Sequence, residues 1–228
     1  MSRLVRAAAL AVLLAAPAAA RAKCAIALVL AVDTSSSVDF AEHKLQRSGL
    51  AAAFRDPAVQ DAILYPEGNG AMATLFEWSG LEHQEVRLDW TWLGDRASIL
   101  AFADAIDGLR RRFDHWPTAL GRASGFAAKR FRELPADCLR HVVDVSGDGV
   151  NNEGVDPDWY RERGYFDGVT INGLVIRGAE PDPLPYYRRH VLHGPGAFVE
   201  VAEGYEDYPR AILRKLLREL QPPYAQAE

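Results

Sequence analysis

The sequence predicts an α/β protein: a doubly wound, mostly parallel six-stranded sheet in the order 3-2-1-4-5-6, with one antiparallel edge strand and helices on both faces. Largely apolar runs at 25–32, 141–146 and 170–176 are typical of strands buried on both faces. Segments with helical spacing alternate with these runs, as they do in parallel sheets. The candidate at 86–93 alternates apolar and polar residues, and its hairpin-length link to the preceding strand predicts an antiparallel edge.

The individual elements follow from local signals. Asp39 and Glu42 resemble a capping box before a first helix at 40–54, which ends before the stop signal Asp56-Pro57. Turn residues at 66–70 and a loop at 181–185 interrupt the pattern. The remaining predicted strands are 71–79, 86–93, 141–146, 170–176 and 197–201, and the remaining predicted helices are 97–112, 119–134, 159–167 and 208–220. The three arginines at 110–112 are interpreted as the solvated last turn of the second helix.

The N-terminus predicts export. Residues 1–22 combine two early arginines, an apolar stretch and a small-residue ending, which is the order of a secretory signal peptide. The apolar stretch is shorter than the ~20 residues that a membrane-spanning helix needs. We therefore expect cleavage near Ala22 and a periplasmic or secreted protein without a stable membrane anchor, whose single domain is 23–228.

The charge of the chain argues against polyanionic partners. The formal net charge is -5, and loss of Arg3, Arg6 and Arg21 with no acid residue would change it to -8. Nucleic-acid and anionic-membrane binders carry a basic footprint instead. We therefore expect neither nucleic acid nor membrane among the partners.

Two cysteines, Cys24 and Cys138, remain after the predicted cleavage. Cys24 precedes Asp33 by nine residues and Cys138 precedes Asp148 by ten. If both aspartates end adjacent parallel strands, both cysteines lie at one level near the other end of the sheet. Neighbouring strands are ~4.8 Å apart, which is compatible with a disulfide. The alternative is a pair of buried free thiols.

Oxygen-bearing side chains follow the strand ends. Asp33, Ser35 and Ser37 leave the first strand, Thr118 precedes the third predicted helix, and Asp148 follows the fourth strand. Open α/β sheets place ligand sites at these carboxyl ends. Carboxylate and hydroxyl oxygens suit hard cations such as Mg²⁺. The alternative for the serines is helix capping, although Asp39 and Glu42 already supply a separate cap for the next helix.

These motifs resemble the metal-ion-dependent adhesion site (MIDAS) of von Willebrand factor A-type domains. Further stretches, including 77–80, 144–149 and 194–199, are similar to an exported bacterial von Willebrand A-like family of unknown function. The resemblance implies that Ser35, Ser37 and Thr118 bind the cation through hydroxyls. It implies that Asp33 and Asp148 reach the cation directly or through water. The implied cofactor is Mg²⁺, with Mn²⁺ or Ca²⁺ as alternatives.

The resemblance also implies a function. A carboxylate on a partner protein or peptide would complete the cation site, without turnover. Asp148 is preferred to Asp144 as the ligand, since Asp144 lies within the strand and Asp148 in the loop beyond it. The candidate rim residues of the crevice are Glu77, Ser79, His115, Asn151 and Asn152, for which packing and turn formation are the alternative roles.

Two other functions use the same residues. An aspartate-based phosphotransferase or hydrolase could use the acidic crevice, but such enzymes need a second acid two positions after the first, where this chain has Ser35. The third hypothesis is a metal-free structural domain in which the polar residues are only caps. The six histidines lack H-x-H and H-x-x-x-H spacing, which argues against zinc. We expect a binding domain and not an enzyme.

Overall fold

A single six-stranded sheet organises the protein. The computed structural model describes residues 24–65 and 70–221. The strands are β1 (Cys24–Asp33), β2 (Ala71–Trp78), β3 (Gln84–Leu93), β4 (Cys138–Gly147), β5 (Val169–Ile176) and β6 (Val199–Ala202). Their spatial order is β3-β2-β1-β4-β5-β6, and only the β2–β3 pair is antiparallel. The predicted strand order and the antiparallel edge strand are therefore confirmed.

Helices connect the strands. They are α1 (Phe40–Arg55), α2 (Pro57–Leu64), α3 (Arg96–Asp107), α4 (Leu120–Arg132), α5 (Asp158–Arg161), α6 (Pro183–Tyr186) and α7 (Tyr208–Leu220). The capping box of α1 is confirmed, since Asp39 accepts a hydrogen bond from the Glu42 amide at 2.8 Å and the Glu42 carboxylate accepts one from the Asp39 amide at 2.7 Å. The sequence prediction missed α2. Asp56 ends α1 and also caps α2, because its carboxylate accepts from the Ala58 amide and Pro57 occupies the first turn.

Three predicted segments need correction. The second predicted helix does not reach residue 112, because α3 ends at Asp107 and Gly108 caps it. Residues 109–118 then run as an irregular segment along the surface. The helix predicted at 159–167 is only the single turn α5. The predicted loop at 181–185 contains α6, which continues into one π-helical turn, Tyr187–Val191.

The two faces of the sheet carry separate apolar clusters. Leu28 and Leu30 of β1 pack with α1, α2, α3 and α7, whereas the alternate residues Val29 and Ala31 pack with α4 and the π-helical turn. Successive side chains of a strand point to opposite faces, so the continuous apolar run of β1 before Asp33 requires helices on both faces. The predicted helices on both faces are confirmed.

A disulfide joins Cys24 and Cys138 at the end of the sheet away from the predicted site. The two residues pair directly across β1 and β4, with their Cα atoms 4.3 Å apart. The predicted bridge is confirmed. The predicted signal peptide, 1–22, lies outside the described residues, as does most of the predicted turn at 66–70. Within 24–65 and 70–221, no helix has the length and apolar character needed to cross a bilayer.

A buried charged cluster lies under α7. The Lys215 ammonium is 2.7 Å from both Asp144 Oδ2 and Glu219 Oε1, and Lys215 is completely buried. Asn172 donates a further hydrogen bond to Glu219 at 2.9 Å. Burial raises the pKa of Glu219 to about 8, against the opposing effect of the Lys215 charge. Asp144 therefore has a structural partner in the interior, on the α7 face of the sheet.

We predict that the disulfide contributes strongly to stability. Its two residues are 114 positions apart, so its removal releases a long loop in the unfolded chain. Replacement of Cys24 and Cys138 by alanine should lower the free energy of unfolding by about 2–5 kcal/mol, measured by urea denaturation against the unreduced native protein. An unchanged unfolding free energy would contradict this role for the bridge.

Candidate metal centre

Three loops meet at the carboxyl ends of β1 and β4. Because these strands are parallel neighbours, the segments after Asp33 and Gly147 leave the sheet side by side. The irregular segment before α4 joins them through backbone hydrogen bonds. The Ser36 amide donates to the Trp116 carbonyl at 2.9 Å, and the Asn152 amide donates to the Thr118 carbonyl at 3.0 Å. These bonds fix the relative positions of all three loops.

The five predicted ligand residues form one connected group. Asp33 Oδ1 accepts from the Ser35 amide at 2.7 Å, and the hydroxyls of Ser35 and Ser37 are 3.2 Å apart. Thr118 Oγ1 donates to Ser35 Oγ at 3.3 Å. Ser37 Oγ donates to Asp148 Oδ1 at 2.7 Å. The fold thus brings together residues that are up to 115 positions apart, and all of their side chains offer oxygen.

Asp33 is the proposed ligand residue with a strongly raised pKa. It is fully buried, and its Oδ2 has no hydrogen-bond partner within the described part of the chain. Burial first, and then the neighbouring charge of Asp148, raises the pKa of Asp33 to about 8. A buried carboxylate in this condition is stabilised by a proton or by a cation.

Gly147 allows the close approach of Asp33. A Cβ atom at this position would lie 2.7 Å from Asp33 Oδ2 and 2.6 Å from the Tyr187 hydroxyl, so a side chain would displace both groups. The Tyr187 hydroxyl is itself buried and has no hydrogen-bond partner in the described structure. Burial and the charges of Asp33 and Asp148 raise the pKa of Tyr187, which keeps its hydroxyl neutral. The same causes raise the pKa of Tyr205. The sequence analysis did not place either tyrosine at the metal centre.

The donor atoms fit a hard divalent cation. Mg²⁺ binds carboxylate and hydroxyl oxygens and retains several waters, which could also satisfy Asp33 Oδ2 and the Tyr187 hydroxyl. Among the described residues, no three His, Cys, Asp or Glu side chains converge as a metal-binding group. The candidate site consists instead of two carboxylates and three hydroxyls. That composition disfavours the softer nitrogen and sulfur chemistry of a structural zinc site.

Three of the predicted rim residues position the Thr118 loop. Asn152 accepts from the Thr118 amide at 2.8 Å through its side chain, in addition to its backbone bond to the same residue. Asn151 Oδ1 accepts from the Gly121 amide, in the first turn of α4, at 3.2 Å. Ser79 is buried, and its hydroxyl donates a hydrogen bond to the Trp116 carbonyl at 3.1 Å. These hydrogen bonds therefore hold the Thr118 loop and the start of α4 in position.

The other two predicted rim residues, Glu77 and His115, lie in different environments, one buried and one exposed. Glu77 lies in the interior and not on the rim, because it is 1% exposed and its carboxylate pairs with His43 and Arg87. His115 lies on the outer surface of the Thr118 loop, with 85% of its side chain exposed. Asp144 contacts Lys215, as described above, whereas Asp148 hydrogen-bonds to Ser37.

Arg111 is a site neighbour that the sequence prediction did not identify. Its guanidinium donates to the Ser35 carbonyl at 3.1 Å, and its charge partly opposes the rise in the pKa of Asp33. The prediction had placed this arginine in a solvated last turn of a helix. The early end of α3 at Asp107 brings it to the site instead.

Residues 23–224 match the family described as "Protein of unknown function (DUF1194)". The chain belongs to this DUF1194 family. No curated protein matches the sequence. Because the match covers all of the described residues, the family assignment applies to the sheet, its helices and the candidate centre together.

Solved structures share the fold of this DUF1194 protein. A von Willebrand factor type A protein from Catenulispora acidiphila has a TM-score of 0.61 at 17% identity, covering 86% of this chain and 43% of that one. Proximal thread matrix protein 1 from the mussel byssus, with a zinc-occupied MIDAS motif, has a TM-score of 0.61 at 13% identity and coverages of 87% and 48%. The pilus adhesin SpaC from Lactobacillus rhamnosus GG, in its open conformation, gives 0.59 at 13% identity, with coverages of 88% and 31%.

These comparisons establish the fold. The DUF1194 chain has the von Willebrand A-like α/β fold, as the sequence resemblance predicted. The chain spans less than half the length of each of these three proteins. At identities of 13–17%, the likeness extends to the architecture and not to ligands.

We predict that Mg²⁺ stabilises the protein more at higher pH. Without metal, the raised pKa of Asp33 means that this residue contributes stability below its ordinary pKa of 3.8 and loses that contribution as the pH rises through about 8. A cation must displace the same proton, so Mg²⁺ affinity should increase about tenfold per pH unit below that value. Thermal denaturation with and without Mg²⁺ from about pH 5.5 to about pH 8 measures this. A melting-temperature increase that is independent of pH would contradict the role of Asp33.

Proposed function

We propose that this protein is an exported binding domain in which a divalent cation, held by Asp33, Ser35, Ser37, Thr118 and Asp148, connects it to a carboxylate on a partner protein or peptide. When bound, Mg²⁺ would supply an open coordination position for that carboxylate. The observation that carries the proposal is the fully buried Asp33 carboxylate, whose Oδ2 has no hydrogen-bond partner among the described residues. Three hydroxyls and a second carboxylate belong to the same connected group. The zinc-occupied MIDAS of the mussel protein supports it by analogy of fold.

The exposure of the site suits a ligand that approaches from one direction. Asp33, Ser35, Thr118 and Asp148 are buried, while Ser36 and Ser37 are exposed. The buried residues can therefore contact the cation from the protein interior, while the side of the site that carries Ser37 stays open to a partner. The Asn152 and Ser79 hydrogen bonds keep the Thr118 loop in place, which limits the ordering cost when a partner binds.

Export is the second part of the proposal. Disulfides persist in oxidising compartments, and the Cys24–Cys138 bridge is of the structural kind that joins two buried strands. The signal-like sequence at 1–22 is consistent with such a compartment. One fold relative is a pilus adhesin, which agrees with an extracellular or periplasmic binding role.

We further propose that the site binds and does not turn over its ligand. The position two residues after Asp33 is occupied by Ser35, whose hydroxyl already contacts Ser37 and Thr118. An aspartate-based phosphotransferase would need a general acid at that place. His115, the one histidine among the predicted rim residues, is surface-exposed and lies 3.5 Å from the Asp114 carboxylate.

Capture of a partner tests the proposal. Immobilised native protein should retain a partner from an extract of exported proteins in Mg²⁺ buffer and release it on addition of chelator. Asp33→Ala should retain none, because the variant lacks the buried carboxylate that the cation needs. Asp137→Asn is the matched control, since it removes an exposed aspartate that is not part of the site. This control should bind like the native protein.

Chemical blocking identifies the ligand group. Amidation of the carboxylates in the extract should abolish retention, while modification of its amines should not. Retention that persists in chelator, in Asp33→Ala or after amidation would contradict the proposed cation–carboxylate contact.

A further inference from the structure

A basic groove lies beside the candidate metal centre. It is a cavity of about 660 Å³ between α1 and the irregular segment after α3. We call it the basic groove and define it by its five cationic lining residues: Lys44, Arg47, Arg110, Arg111 and Arg112. Asp114 is the single acidic residue in the lining. This local excess of positive charge occurs in a chain whose formal net charge is -5.

Part of the basic groove is held rigidly. The Arg47 guanidinium donates to the Leu109 carbonyl at 3.1 Å and also to the Asp107 carbonyl, which fixes the chain where α3 ends. Arg111 donates to the Ser35 carbonyl at 3.1 Å. Arg112 pairs with Glu85 at 2.6 Å. These contacts orient the segment. Among the described residues, neither Arg47 nor Arg111 forms an ion pair with a carboxylate, because the acceptors of these bonds are carbonyl groups.

The outer wall of the basic groove has two cations available to a ligand. Lys44 and Arg110 are both exposed, and within the described residues neither side chain makes a hydrogen bond or an ion pair. Phe40, which is 76% exposed, borders the same groove and adds an apolar contact surface. A ligand here would meet positive charge and one aromatic ring.

Arg111 joins the basic groove to the candidate metal centre. It lines the groove, and it hydrogen-bonds to the carbonyl of Ser35, one of the proposed ligand residues. A peptide whose carboxylate occupied the metal centre would therefore continue next to a cationic surface. Opposite charges placed in this way mainly raise the association rate and the specificity.

Resting on the proposed function, we infer that the partner presents an acidic peptide segment: one Asp or Glu side chain reaches the metal centre and further carboxylates lie in the basic groove. The formal charge of the whole chain favours a short acidic segment over an extended polyanion, because the surface beyond the groove would repel a long one. Phe40 suits the apolar atoms of a peptide better than a sugar sulfate.

The test uses a labelled peptide of alternating Glu and Gly, with a Gln–Gly peptide as the neutral comparison. Fluorescence anisotropy in Mg²⁺ buffer should show binding of the Glu–Gly peptide only. The double variant Lys44→Gln, Arg110→Gln should weaken this binding by about 3- to 10-fold, as expected for two exposed ion pairs. Calorimetric Mg²⁺ titration of the same variant should match the native protein, because neither residue contacts a proposed ligand.

The matched control is Arg188→Gln, Arg189→Gln, which removes two exposed arginines that do not line the groove. This variant should bind the peptide like the native protein. Chelator separates the two proposals: loss of peptide binding in chelator supports the metal contact, and weaker binding in the Lys44, Arg110 variant supports the groove. The groove inference is overturned if that variant binds like the native protein, if the Gln–Gly peptide binds equally, or if a sulfated polysaccharide binds while the Glu–Gly peptide does not.

Discussion

The parallel pairing of β1 with β4 is the constraint on which the rest of the site depends. In their register Cys24 lies opposite Cys138 and Val32 opposite Ser146, so Asp33 ends β1 at the level of Gly147. The register of a strand pair determines which residues meet at both of its ends. A slip by one residue would move every side chain of the strand to the opposite face of the sheet. The disulfide at one end and the two aspartates at the other are consequences of the same alignment.

That alignment places Asp33 and Asp148 close together inside the protein. Burial raises the pKa of Asp33, and repulsion from the Asp148 carboxylate raises it further. Asp144, four residues before Asp148, is also a buried carboxylate, but the Lys215 ammonium lies 2.7 Å from its Oδ2. Among the described residues, Asp33 Oδ2 has no such partner. The contrast is between a buried carboxylate that faces an ammonium group of the fold and one whose charge a cation could balance.

Much of this arrangement was predictable from local patterns. Apolar runs and helical spacing indicated the sheet order, and the residues after the strand ends indicated Asp33, Ser35, Ser37, Thr118 and Asp148. The features that local patterns did not reveal depend on tertiary contacts. Lys215 and Glu219 are four residues apart on α7, which resembles a solvent-exposed pair, yet both are buried against β4 and β5. Glu77 ends a strand like a rim residue, but His43 and Arg87 hold its carboxylate in the interior. The arginines at 110–112 continue a helical pattern that Gly108 ends, so their place in the groove had no local signal.

Calorimetric titration of Mg²⁺ into the native protein, Asp33→Ala and Asp137→Asn measures whether these strand ends bind a cation. We expect saturable uptake of one ion per chain by the native protein and by Asp137→Asn, and none by Asp33→Ala. Asp33→Ala removes a buried carboxylate, and thermal denaturation should show that this variant remains folded. Absence of uptake by the native protein, or equal uptake by Asp33→Ala, would contradict the claim that these strand ends form a cation site.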